Sequence, residues 1–343
     1  MKYQIRPFDY SDLDYEGVLE TYNAVWPDHG DTVFDWKFDD ERRNPKFFYS
    51  RFVAELTGTP GTPGRVVAHA SCGESFWSYV PGKYFVAVNV HPDFRHHGIG
   101  SALYDTLMRQ LLPRQPEQFT CWSREDQPEG IRFLEQHGFA QRMRFPISAL
   151  DLTTFDPGRF QHRIQQVLAS GIEIKDLREL MDSDPAWKDK IYNAINTMAQ
   201  DVPFADPLTL ETQEEWENGS LKHPNFMPEA WRVALDQGEY VGLTMLWRHS
   251  SDEHKLNTGL TGVLRSHRRQ GIAIALKTLS LQYAQELGYQ TVDTDNEEHN
   301  PMFQINLQLG FRPRPAGLEF HRECSAADEE LVVSDQVPVG LPF

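Results

Sequence analysis

Two tandem α+β domains are the fold class this sequence predicts, and three observations lead to it. The stretch Arg95-His96-His97-Gly98-Ile99-Gly100 returns as Arg268-Arg269-Gln270-Gly271-Ile272-Ala273, an offset of 268 − 95 = 173 residues. His137-Gly138-Phe139 returns as Leu309-Gly310-Phe311, where 310 − 138 = 172. Upstream, NPKFFYSRFVAEL from Asn44 parallels HPNFMPEAWRVAL from His223, at 223 − 44 = 179. Landmarks in one order at nearly one offset mark the duplication of a whole domain, since solenoid periods are far shorter. A chain of 343 residues with 40% hydrophobic content is long enough to bury two cores.

In the first copy, YQIRPF reads as a strand, and DYSDLDYEGVLETYNAVW opens with Asp and Ser cap candidates before a helical pattern. FFYSRFVAEL and RVVAHASC read as strands joined by the Gly- and Pro-rich loop TGTPGTPG at 57–64. YFVAVNV is rich in β-branched and aromatic residues and stops at His91-Pro92, because proline has no N–H for the ladder. After the glycine turn, SALYDTLMRQLL has helical spacing; FTCWS is a strand, GIRFLEQH a helix and FAQRMRFPI a last strand.

The second copy repeats the order: GIEIKDL, a helical region from Asp184 to Gln200, a Pro-rich loop, then the strands AWRVALD, EYVGLTMLW and NTGLTGV. The turn RRQGIA, the helix IALKTLSLQYAQEL, the strand QTVDTD, the helix PMFQINLQL and a final RPRPAGLEF complete it. The boundaries drawn are 1–155 and 156–325, with 150–170 as the connection and 326–343 as an acidic, Pro-containing tail.

The formal charge of −17 opposes binding to a phosphate backbone, which needs clustered Lys and Arg, so no nucleic-acid partner is expected. No apolar run reaches membrane-spanning length, and the start MKYQIRPFDYSD turns polar at once, so neither a membrane span nor a leader is expected. Cys72, Cys121 and Cys324 are odd in number and far apart, which fits a reducing, cytoplasmic setting better than a disulfide framework or a zinc site.

The chemistry lies at the glycine turn. A strand that turns into a helix leaves the first backbone N–H groups without partners and places the positive end of the helix dipole there, a site for an anion. The candidate cradles are the amides of His96 to Ser101 and of Arg269 to Ile274. The dinucleotide fingerprint fails because Leu103 and Ile274-Ala275-Leu276 stand where its third glycine belongs, and the NTPase loop fails because no GK-Ser/Thr follows.

What remains resembles the GNAT acyltransferases, whose acyl-CoA loop has the form Q/R-x-x-G-x-G/A. Arg95, Gly98 and Gly100 fit it, as do Arg268, Gly271 and Ala273. The family's second landmark, a helix ending in Gly-Phe after an upstream Asn, is matched by Asn300, Asn306, Gly310 and Phe311; the first copy keeps Gly138-Phe139 but has Pro128 at the Asn position. The layout is similar to double-domain GNAT proteins of the mycothiol-synthase type.

The resemblance implies two mixed, mostly antiparallel sheets flanked by helices. It implies acetyl-CoA as cosubstrate and an amine acceptor; no metal is expected, because no second ligand pair stands at zinc spacing with His96 and His97, and a monomer or homodimer is expected. The acyl donor would be held by Val90, Arg95, His96, His97, Gly98, Ile99, Gly100 and Ser101 in one copy. In the other it would be held by Val263, Arg268, Arg269, Gln270, Gly271, Ile272, Ala273 and Asn300. A free amide at Val90 or Val263 would face the thioester oxygen. Many GNATs carry a Tyr four residues before the glycine of Gly-Phe to protonate the thiolate; Leu134 and Asn306 stand there instead.

Candidates for the base are His91, Glu74 and Glu125 in copy one and Asp293, Asp295 and Glu297 in copy two, with Asp295 favoured. With its fuller second landmark, the C-terminal copy is expected to be the catalytic one. Val263, Asp295, Asn306 and Val90 are therefore the catalytic candidates. Two alternatives stay open: a non-catalytic acyl-CoA sensor or scaffold, which the missing Tyr favours, and transfer of a longer acyl chain. Acidic residues near the second copy's early helices, Asp206, Glu211, Glu214 and Glu215, fit a cationic acceptor or simply a solvated face.

Overall fold

The computed structural model describes residues 1–28, 30–57 and 64–325. The core of the loop at 57–64 and the tail at 326–343 lie outside the described residues. The chain forms two compact units: one of 1–123, 127–142 and 319 onward, the other of 124–126 and 143–318.

The first unit begins with β1 (Tyr3–Pro7), α1 (Asp12–Val25) and α2 (Val33–Glu41). Ser11 caps α1 by accepting the Asp14 N–H, as its place before the periodic stretch predicts, while α2 starts at a reciprocal Thr32 and Asp35 capping box. β2 (Tyr49–Leu56), β3 (Val66–Gly73) and β4 (Lys83–Val90) follow, then α3 (Ile99–Leu111), β5 (Gln118–Arg124), α4 (Pro128–Gln136) and β6 (Ala140–Phe145). α3 buries Ile99, Leu103, Leu107 and Leu111, the apolar stripe read from the sequence.

The second unit holds β7 (Ile147–Asp151), α5 (Gln161–Ala169), β8 (Glu173–Asp176), α6 (Leu177–Ser183) and α7 (Trp187–Ala199). After these come α8 (Gln213–Trp216), β9 (Arg232–Asp236), β10 (Glu239–Arg248), β11 (Lys255–Val263), α9 (Ile272–Glu286), β12 (Thr291–Asp295), α10 (Pro301–Leu309) and β13 (Arg312–Pro313). β14 (Gly317–Glu323) ends the described chain and joins the first unit's sheet.

The sheets are ordered β1-β2-β3-β4-β5-β14-β6 and β13-β7-β12-β11-β10-β9-β8. In each, a run of four neighbouring strands pairs antiparallel, and β4 with β5, or β11 with β12, run parallel; β7 pairs antiparallel with both β12 and β13. The expected mixed, mostly antiparallel sheets flanked by helices are thus present.

The last strands are exchanged: β7 lies between β12 and β13, and β14 between β5 and β6. The segment FAQRMRFPI, read as one strand, is β6 and the start of β7 with only Pro146 between them. A hairpin needs two or more turn residues, and proline keeps its predecessor extended, so the chain cannot fold back and runs on into the other sheet.

Residues 161–169, read as connection, form α5, whose Ile164 and Val167 pack with Ala275 and Leu276 of α9. Trp216 and Trp231 are buried with Leu177, Ile191 and Leu243 in a second-unit core cluster. None of Cys72, Cys121 and Cys324 forms a disulfide. Among the described residues, no helix is long and apolar enough to cross a membrane.

Candidate active site

The two glycine turns share one backbone course. Each strand passes into a single 3₁₀ turn, Pro92–Phe94 or Arg265–His267, and then an extended arginine, Arg95 or Arg268. His96 and Arg269 both have φ 63°, and Gly98 (φ 78°) and Gly271 (φ 84°) take the left-handed conformation that glycine adopts without strain. α3 and α9 begin there with no side-chain cap, which leaves their first amides available to an anion. The loop arginines bond the strand: Arg95 Nε donates to the Val90 carbonyl at 3.4 Å and Arg268 Nε to that of Val263 at 3.0 Å. A Cβ at Gly100 would meet Val90 Cγ2 at an ordinary 3.6 Å, so the alanine at 273 in the second copy is sterically unremarkable.

A carboxylate faces each turn. Glu129 at the start of α4 contacts Arg95 at 3.3 Å and His96 at 3.0 Å. Asp201, just past α7, pairs with both Arg265 and Arg268, and the Arg265 hydrogen bond is the largest cause holding its carboxyl below the usual range. An anion entering either turn competes with these carboxylates.

Beyond the turns lies an opening in each sheet. β4 and β5 pair only from Lys83 with Gln118 to Phe85 with Thr120, and β11 and β12 only from Lys255 with Thr291 to Asn257 with Asp293; farther on, the strands part. His91 N–H donates to Val67 and Leu264 N–H to Val241. Successive strand amides alternate in direction, so the Val90 and Val263 N–H groups turn toward the opening.

The openings differ in one respect. β3 and β4 stay in register from Gly73 with Phe85 to Ala68 with Val90. β10 and β11 slip between Thr244 with Thr261 and Leu246 with Thr258, so that Gly259 and Leu260 oppose Met245 alone. This is a one-residue bulge, and it frees backbone groups at the edge of the opening. A Cβ on Gly259 would lie 2.6 Å from Trp247 Nε1, so any larger residue there must displace the indole or the bulge.

Most base candidates are engaged elsewhere. His91 Nδ1 caps the 3₁₀ turn by accepting from Asp93 N–H, and Glu74 accepts the Phe48 amide at 2.8 Å. Glu125 is bound by Arg144 at 2.7 Å and by the Ala316 amide, and Asp293 by Lys255 at 2.7 Å. Glu297 accepts the His299 N–H at 2.9 Å. Asp295 is exposed at the end of β12.

Asn300 caps α10, its Oδ1 accepting the Met302 N–H at 2.9 Å. Counted from the helix start, Gln127 is its counterpart, and Gln127 makes no cap. Glu215 completes the capping box of α8 with Thr212, so this member of the acidic group has a structural role.

Lys277 was not singled out from the sequence. It is 2% exposed in α9, six residues after Gly271, and its Nζ lies 5.5 Å from the centre of the Phe311 ring. Desolvation pushes its pKa down to about 7. Asn306 is fully buried: its Nδ2 donates to Asn296 Oδ1 at 2.6 Å, and its own Oδ1 is buried without a partner. Copy one places Tyr104 six residues after Gly98, against Phe133, His137 and Phe139, and has Leu134 at the sequence position equivalent to Asn306. The available signal was that Lys277 is the one cation in the helix IAIALKTLSLQYAQE.

Comparison with known proteins agrees with this geometry. The model of the Acetyltransferase (GNAT) family matches residues 15–139 and again 190–307. A mycothiol acetyltransferase of Parafrankia sp. is 23% identical over 295 residues, covering 78% of this chain and 87% of its own. Another from Frankia casuarinae is 25% identical, covering 77% of this chain and 76% of its own. Among solved structures, a GCN5-related N-acetyltransferase from Sphaerobacter thermophilus superposes with TM-score 0.68 at 18% identity, covering 94% of this chain and 95% of that one. A tandem GNAT protein from the clavulanic acid biosynthesis pathway does so at 0.65 and 18%, covering 94% and 98%.

Proposed function

The chain belongs to the acetyltransferase (GNAT) family, and on that premise we propose that it transfers the acetyl group of acetyl-CoA to a primary amine of a small molecule or peptide, with the chemistry in the C-terminal copy. The observation that carries the choice of copy is the bulge at Gly259 and Leu260 of β11, against the unbroken register of β4. The residues fit the donor: the uncapped start of α9, with Gly271 at positive φ, accepts a diphosphate through Arg269 to Ile274, with Arg268 and Arg269 supplying charge. The Val263 N–H faces the thioester oxygen and stabilises the negative charge that grows on it; loss of one such donor costs about a hundredfold or more in rate.

The acceptor attacks as the free amine, its proton leaving first to solvent or to the exposed Asp295. Both curated relatives are named mycothiol acetyltransferase, which supports an amine acceptor and leaves the particular amine open. The test is release of coenzyme A thiol from acetyl-CoA by the full chain with a panel of primary amines, alongside calorimetry. Amine-dependent release above background supports the reading. Binding without release on any amine overturns it in favour of an acyl-CoA sensor, and faster release from a longer acyl-CoA overturns the acetyl assignment.

A further inference from the structure

The second copy buries a cation, Lys277, and an amide, Asn306, where the first copy has the phenol of Tyr104 and the alkyl chain of Leu134. We propose that Lys277 hands a proton to the departing coenzyme A thiolate in the C-terminal copy. This rests on the reading above that transfer takes place there.

Geometry sets the location. α9 returns along β11, with Ile272 and Leu276 packed beside Val263, and Leu281 and Ala284 one stretch later packed with Leu256 of β11 and Val292 of β12. Lys277 precedes Leu281 by four residues and Ala284 by seven, so it lies on the same stripe, one turn nearer the glycine turn. Strand pairing ends at Asn257 and Asp293, one residue beyond Leu256 and Val292. One turn farther along, the stripe therefore meets the parted strands.

The surroundings are those of a ligand site. Asn306, whose backbone carbonyl accepts the N–H of the Phe311 that Lys277 overlies, leaves a buried Oδ1 without a partner. Thr258, on the α9 face of β11 by its alternation with Leu256, leaves a buried Oγ1 unpartnered. Lys277 shows no ion pair or hydrogen bond among the described residues. A buried ammonium with no counter-ion is costly, and a structural position here would hold an apolar residue.

Nothing charged answers it from the packed elements. α10 has no ionisable residue. Lys255 and Asp293 pair on the opposite face, Asp295 is exposed, and Asp201 is held by Arg265 and Arg268. His162 and Arg163 of α5 and Glu239 of β10 are exposed, Arg232 pairs with Asp176 and Asp236 with His267, and Arg248 Nη1 donates to the Phe226 carbonyl, so desolvation is what lowers the Lys277 pKa. The shift leaves the ammonium more acidic than an ordinary thiol, so the proton moves downhill to sulfur.

The step balances. The amine nitrogen bonds the acetyl carbon, the C–S bond breaks with its electron pair going to sulfur, and the Lys277 ammonium protonates that sulfur. An N-acetyl amine, coenzyme A thiol and a neutral Lys277 result, and solvent returns the proton shed by the acceptor.

The experiment compares the full chain with Lys277→Met and Lys277→Gln, whose folding is checked by circular dichroism, measuring thiol release with acetyl-CoA and an accepted amine from pH 5 to 9. The wild type is expected to lose kcat above about pH 7 as the acid deprotonates. Both variants are expected to fall about a hundredfold in kcat, to lose that alkaline limb, and to keep the acetyl-CoA dissociation constant within about twofold. Unchanged kcat with the limb retained, or a loss confined to acetyl-CoA binding, overturns the proposal for Lys277 alone. A wild type that releases no thiol with any amine overturns the transfer reading and this proposal with it.

Discussion

In both copies the loop arginine bonds the carbonyl of the strand-terminal valine, and a glycine in the left-handed region opens an uncapped helix. Behind this common backbone the copies part. The first runs β4 in unbroken register and fills the space under its turn with Tyr104, Phe133, His137 and Phe139. The second bulges β11 and buries Lys277 and Asn306 in the corresponding places. A bulge and two buried polar groups cost a fold stability, and the proposal that the second copy is the catalytic one rests on them.

The sharpest way to break the comparison is at the two turn glycines. Gly271→Val and Gly98→Val each force a β-branched residue to positive φ and should each cost about 1–2 kcal/mol in thermal denaturation. Thiol release should vanish in the first and persist in the second; the reverse pattern of activities sinks the choice of copy.

The bulge comes next. Gly259→Ala drives a Cβ toward Trp247 Nε1, and amine-dependent release should fall at least tenfold while the fold survives. Full activity in this variant would mean that the bulge has no part in catalysis.

Lys277 gives a stability readout independent of turnover. Its pKa is depressed from 10.5 in the unfolded chain to about 7 in the folded one, so the unfolded state holds more protons between those values and wild-type stability rises with pH across that window. Below pH 7 the full cost of the buried ammonium is present. Lys277→Met should therefore be stabilising by a few kcal/mol below pH 7 and should lack the rise above it, as urea titrations at several pH values would reveal.

The smallest effect concerns the carboxylates facing the turns. Asp201→Asn removes a charge that competes with phosphates for Arg265 and Arg268, and should tighten acetyl-CoA binding up to about fivefold, the scale of an exposed ion pair. Glu129→Gln should change nothing if the first copy holds no donor, and calorimetry on both variants separates one occupied turn from two.

The fold was legible wherever local chemistry decides it. Ser11 capping α1, the stop of β4 at His91-Pro92 and the placing of a turn at Gly98 and Gly271 follow from side-chain volume and missing donors. The duplication itself was plain from the two spacings, 173 and 172 residues. α2 was harder to see, because only Val33 and Trp36 of its apolar residues pack on the core and its one well-buried side chain is the charged Asp40, so it has no wide apolar stripe to read.

Three things needed the tertiary structure. Pro146 forbids a hairpin, yet only the assembled sheets show β7 and β14 exchanged, because strand partners are chosen by long-range pairing. The bulge depends on the count of residues in two facing strands, which neither strand carries alone. Lys277 reads as one more cation on a helix until packing against Phe311 and the stripe of Leu281 and Ala284 removes its water. The amino-acid order thus determined the turn and its repetition through dihedral limits and spacing, whereas burial, which is a property of neighbours brought together from distant parts of the chain, decided which side chains bear on the chemistry.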